Sequence, residues 1–140
     1  MNKYAGKEGS FAIQLAEFAE QAKEAIDSTL REVVIEIGNS VIRMSPVDTG
    51  RFRGNWQFSI GSPAAGTLDV ADKDGSAAMA RIEGDSLLFK AGETAYIVNN
   101  LPYAIPLEYG HSDQAPGGMV RVTLARFQKI IEEAVRNNQI

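Results

Sequence analysis

The stretch SPVDTGRFRGNW, residues 45–56, holds the one grouping in the chain with an obvious chemical use: Asp48, Thr49 and Gly50. An Asp-Thr-Gly tripeptide can supply one carboxylate of the shared-proton dyad of aspartic proteases, which needs a mostly β framework and two aspartates face to face. Here the tripeptide follows a long helical pattern and runs straight into Arg51 and Arg53. Two nearby cations favour ionised carboxylates, whereas the dyad must keep a proton. A protease built on Asp48 is therefore the lesser reading. The structural alternative is an Asx-turn, with the Asp48 carboxylate accepting the Gly50 N–H. In that reading Pro46 sets the entry to the turn and Gly50 supplies backbone freedom. Arg51 and Arg53 read as solvated, with pairing to acids of a neighbour as the alternative.

The other candidate groups are sparse. His111 is the only histidine. Glu108, Ser112 and Asp113 lie near it, but at no spacing that suits a metal site or a nucleophile. It reads as a polar loop residue. The run Ala115-Pro116-Gly117-Gly118-Met119 lacks the lysine and spacing of a phosphate loop. There are no cysteines, which removes thiol chemistry, disulfides and zinc–thiolate sites, and the formal net charge is -4. A protein that grips phosphates needs a basic surface. Trp56, Tyr96, Tyr103 and Tyr109 thus read as core or interface rather than as base-stacking platforms. The residues imply no enzyme, no cofactor and no small-molecule substrate.

The elements that must position these residues follow from periodicity. With 140 residues, 44% of them hydrophobic and 23% charged, the chain suits one globular domain. We read residues 1–9 as a flexible arm and 10–140 as that domain. Ser10 is a candidate N-cap. Phe11, Leu15, Phe18, Ala22, Ile26, Leu30, Val33, Ile37, Val41 and Met44 then step by three or four, which predicts a helix ended by Pro46. An unbroken helix over 10–44 is about 50 Å long, against a radius of gyration of about 14 Å for a compact domain of this size. Either it breaks, near Gly38, or part of its stripe packs on another subunit. Residues 56–60 and 94–98 alternate as half-buried strands. Residues 61–75 read as a mobile loop. A second helix is expected from Ser76 to about Phe89, with Gly84 weakening it. Tyr103 and Leu107 share a short helical turn, and with Tyr109 they are expected to pack over the sheet. Val120, Leu124, Phe127, Ile131 and Ala134 mark the apolar face of a C-terminal helix. No apolar run reaches membrane-spanning length.

Taken together, SPVDTGRFRGNW after a long helix and YIVNNLPYAIPLEYGHSDQAPGGMVRVTLARF resemble the tail-completion or neck proteins of long-tailed bacteriophages. This is the group related to the lambda minor tail protein Z. The resemblance is carried by Pro46, Asp48-Thr49-Gly50, the arginine pair with Trp56, Asn99-Asn100, Tyr103-Ala104, Leu107-Glu108-Tyr109-Gly110 and Gly118-Met119, in order over roughly residues 30–135. It implies an α+β fold: a long N-terminal helix, a small curved, mostly antiparallel sheet and a C-terminal helix. It implies a structural, non-enzymatic role at the head-proximal end of the tail, in the virion, after synthesis in the bacterial cytoplasm. The implied partners are copies of itself, in a ring on the six-fold tail axis, and other neck or tail proteins, with DNA only passing through. The candidate contact residues are Phe11, Leu15, Phe18, Arg51, Arg53, Tyr103, Tyr109 and His111. The competing class is a small bacterial adaptor that binds protein and has no phage role.

Overall fold

The computed structural model describes residues Ser10 to Gln139. The expected flexible arm at 1–9 and the capping side chain of Ser10 lie outside the described part. The chain order is α1 (Ser10–Met44), α2 (Arg51–Gly54), β1 (Trp56–Ile60), α3 (Ser76–Ser86), β2 (Ala95–Asn99), α4 (Ala104–Glu108), α5 (Val120–Ala125) and α6 (Phe127–Asn137). This is an α+β fold with a long N-terminal helix, a two-stranded antiparallel sheet and C-terminal helices.

Helix α1 is unbroken over 35 residues. Gly38 is not a break. It is the point where α3 comes closest, since a Cβ there would lie 3.1 Å from Ile82 Cγ2. The helical weakness of glycine is accepted for a tight crossing. Only the second half of α1 belongs to the core. Val34, Val41 and Ile42 join Phe52, Trp56, Phe58, Ala78, Ile82, Phe89, Leu101 and Met119 in one buried cluster. The first half of α1 stands bare: Phe11, Leu15 and Phe18 are 73%, 56% and 57% exposed.

The strands pair in register Trp56↔Asn99, Phe58↔Ile97 and Ile60↔Ala95. Period-two alternation puts Trp56 and Phe58 on the core face, with Ile97 and Ala95 beside them. The second strand lies one residue later than its sequence pattern suggests, because Asn99 continues the ladder. Its side-chain Nδ2 donates to Phe52 O (2.9 Å).

Two expectations are corrected. Residues 61–75 have no regular structure but are tied down. The buried Asn55 pairs with the Leu68 backbone, donating to its O (3.0 Å) and accepting from its N (2.7 Å). Asn100 donates to Ala64 O and Gly66 O. An amide side chain can replace a strand partner in this way because it carries a donor and an acceptor side by side. The C-terminal helix is broken at Arg126, and its first part is rolled away from the expected apolar stripe, of which Ala134 is buried and Ile131 half-buried. Thr123, Ile130 and Ala134 are buried, while Val120, Leu124 and Phe127 are exposed. The roll follows from a polar pair at the contact: Ser40 and Thr123 share a hydroxyl hydrogen bond of 2.6 Å, and Thr123 also donates to Met119 O.

Within α3, nothing lies within 4 Å of where a Gly84 Cβ would stand. Gly84→Ala should therefore raise stability by about 0.4–1 kcal/mol. A urea unfolding midpoint that does not rise would show that the last turn of α3 is not held as described.

Candidate interaction site

The turn after α1 is built from the ends inward. The last carbonyls of a helix have no partner within it. Here Arg53 supplies donors: Nη2 to Arg43 O (3.2 Å) and Ser45 O (2.7 Å), and Nη1 to Lys73 O (2.9 Å). Its cation also suits the negative end of the helix. Ser45 Oγ donates to Val41 O (2.6 Å) and accepts from Trp56 Nε1 (2.8 Å). The solvated reading of Arg53 is thus corrected. It is a clamp across three backbone segments, and little of its fork is left for a partner. Arg51 is exposed.

The Asx-turn expected at Asp48 does not form. Asp48 is exposed, and the local bond is instead from Arg51 N–H to Thr49 Oγ1 (3.2 Å). Gly50 carries the turn. Its φ is +89°, and a Cβ there would sit 2.5 Å from Lys73 N and 2.6 Å from Asp72 C. Its carbonyl accepts from both Gly54 N (3.0 Å) and Asp72 N (3.1 Å). Asp72 in turn accepts Ala78 N–H (2.8 Å) at the start of α3. The glycine therefore lets the 61–75 segment pass against the turn and reach α3.

The two sequence stretches that carry the family resemblance meet at this place. A cavity of about 260 Å³ lies between the 46–52 turn and Tyr103, Leu107 and Gln114. The Gln114 amide bonds both the N–H (2.9 Å) and the O (3.1 Å) of Val47. Tyr103 packs its ring against Phe52 at 5.9 Å between centroids and remains 41% exposed. Leu107 is half-buried against the core. Tyr109 departs from the expected packed unit: it is 67% exposed, with the Arg121 guanidinium 5.0 Å above its ring. His111 is exposed and contributes its backbone N–H to Pro106 O. Among the described residues, no three His, Asp or Glu side chains group as metal ligands.

Glu108 has the most specific electrostatic role. Its carboxylate accepts N–H bonds from Met119 (2.9 Å), Val120 (2.8 Å) and Arg121 (3.0 Å) at the start of α5, and pairs with Arg121 Nε (3.1 Å). Burial alone would push its pKa up. The Val120, Arg121 and Met119 amides and the Arg121 side chain outweigh that and hold it below the usual 4.5. The close pass leaves no room at Gly118, where a Cβ would fall 2.4 Å from Glu108 O. Sequence reasoning did not find this cap, nor the Asp27 carboxylate that accepts Ala91 N–H (2.9 Å) from a turn 64 residues away. A cap supplied by a distant segment leaves no local signal.

The candidate contact residues thus fall into separate regions. Arg51 and Tyr103 flank the turn, Tyr109 and His111 lie beyond it on the 103–118 segment, and Phe11, Leu15 and Phe18 project from the bare half of α1. No helix among the described residues is long and apolar enough to cross a membrane. No protein-family model, curated protein or solved structure matches the chain.

Two predictions follow from this geometry. Gly50→Val should cost about 1–3 kcal/mol or more, from strain at positive φ and the clash with 72–73. Asp48→Asn should stay within about 0.5 kcal/mol of wild type in the same denaturant titration. Equal losses would mean that the Asp48 carboxylate holds the turn after all. For Glu108, a folded-state pKa below the unfolded one adds stability at pH values above 4.5 and loses it as pH falls through the folded value. Glu108→Gln should therefore be less stable than wild type at pH 7, with the difference shrinking towards pH 3. A difference that stays constant with pH would remove the charged cap.

Proposed function

We propose that this chain is a structural protein of the head-proximal end of a long bacteriophage tail, and that it acts by contact with other protein subunits. The observation that carries the reading is the bare half of α1, where Phe11, Leu15 and Phe18 are each more than half exposed on one face. An apolar stripe of that length on a soluble domain marks an interface. The resemblance of the 45–56 and 96–127 stretches to tail-completion proteins supplies the identity of the assembly. The Gln114 amide closes on the Val47 backbone beside the Asp48 turn, which supports a structural use of that motif. The formal charge of -4 suits a protein that DNA passes without being held.

The test is genetic. In a phage that carries this gene, Phe18→Glu, shown by circular dichroism to fold, should leave heads and tails formed but unjoined, with titre reduced by orders of magnitude. A folded Phe18→Glu protein that restores full titre would remove α1 from the functional surface. Peptidase activity abolished by Asp48→Asn would replace the structural reading with an enzymatic one.

A further inference from the structure

We propose that the bare half of α1 pairs with the same half of α1 from a second copy of this chain. The two helices run antiparallel about a two-fold axis at the level of Glu20.

The face is continuous. At 3.6 residues per turn, Phe11, Leu15, Phe18, Ala22, Ala25 and Thr29 fall within a sector of roughly 80°. Helices α5 and α6 together cover the same side of α1 further along, and run antiparallel to it: Thr123 of α5 meets Ser40 at one end, and Asn137 and Asn138 at the end of α6 bond Glu32 at the other. The cover then stops. A cleft of about 510 Å³ opens beside Ala22, Ala25, Ile26, Thr29 and Val135. A second α1 laid antiparallel would occupy the line that a longer α6 would have taken.

The side chains fit that arrangement by size. With the axis at residue 20, Phe11 faces Thr29, Leu15 faces Ala25 and Phe18 faces Ala22 of the other copy. Phe11, Leu15 and Phe18 each meet a small side chain, as knobs meet holes. Parallel pairing would set Phe against Phe and leave alanine facing alanine. The area is also adequate. Aromatic side chains bury about 150–250 Å² each, and Phe11, Leu15, Phe18, Ile26 and Val135 are 47–73% exposed. They offer on the order of 500 Å² per copy, or about 1,000 Å² for the pair, where specific interfaces begin. Charge opposes the pairing mildly: residues 10–26 carry Glu17, Glu20 and Glu24 against Lys23 on each copy. Salt should therefore tighten it.

The chain has no cysteine, so the register can be read directly. Leu15→Cys and Ala25→Cys proteins, mixed and mildly oxidised, should give a cross-linked heterodimer, and each alone should give far less. Sedimentation of the wild-type protein should show a monomer–dimer equilibrium that shifts towards dimer at higher salt. Phe18→Glu should weaken it about 30-fold or more. A wild-type protein that stays monomeric at every concentration would overturn the proposal, as would Leu15→Cys linking mainly to itself. A monomer whose Phe18→Glu variant still blocks head–tail joining would assign the face to another protein. The pairing uses the same face as the proposed tail contact, but the sedimentation and cross-linking of the purified protein test it whether or not Phe18→Glu affects titre.

Discussion

The end of α1 imposes the constraint on which the rest of the fold depends. A 35-residue helix leaves its last carbonyls without partners of its own, and they must find donors elsewhere. Arg53 meets that need and at the same stroke takes the Lys73 carbonyl, so the helix end, the turn and the long irregular segment are fixed to one guanidinium. Ser45 adds the Val41 carbonyl on one side and the Trp56 indole on the other. The first strand is therefore aimed by the satisfaction of a helix terminus. Arginine suits the task because its planar fork presents several donors at once; a lysine would reach one or two of these carbonyls and not all three.

The irregular parts follow the same logic. Asn55 is fully buried, and its amide closes on Leu68 and the Arg51 carbonyl. Arg81 donates to Gly54 O and Trp56 O at 2.9 Å each. Asp27 and Arg31 on α1 bind Ala91 N and Phe89 O, which hangs the turn after α3 on the long helix. Beside the packed core, polar side chains bonded to distant backbone position the segments that have no regular structure.

What the sequence made legible is what repeats along it. The period of the apolar residues gave α1, β1 and the start of α3, and Pro46 ended the long helix where expected. The mismatch between a long helix and a small domain was visible in arithmetic alone, and its resolution is a bare stretch rather than a break. Single long-range bonds were not legible. The roll of α5 and α6 turns on Ser40 meeting Thr123, 83 residues apart, and nothing near Thr123 marks it as the inward residue. The segment 61–75 looked loose because small and polar residues have no period, yet its partners are amides elsewhere in the chain. At the candidate site, Gly50 was correctly singled out, but the reason for it was only half visible: positive φ was expected, the passage of Asp72 and Lys73 was not. The exposure of Phe11, Leu15 and Phe18 was foreseen from the length of the helix, whereas Arg53 was misjudged because its acceptors are backbone carbonyls that no composition records.

The contrast between the two halves of α1 reaches into its local thermodynamics. From Asp27 onwards the helix is locked to α3, α6 and the turn at 87–92, and its amides should open to exchange only when the whole domain does. From Phe11 to Gln21 every residue is exposed apart from the half-buried Glu17. Helices of that length are marginal in water, so this part is held mainly by continuation from the anchored half. Its amides should exchange orders of magnitude faster, in a gradient that rises towards the N-terminus. A partner that covered the stripe, as proposed above, would also have to order these first turns of α1, and the contact would be weaker per unit area, more sensitive to temperature and more readily reversed than one made by a rigid surface.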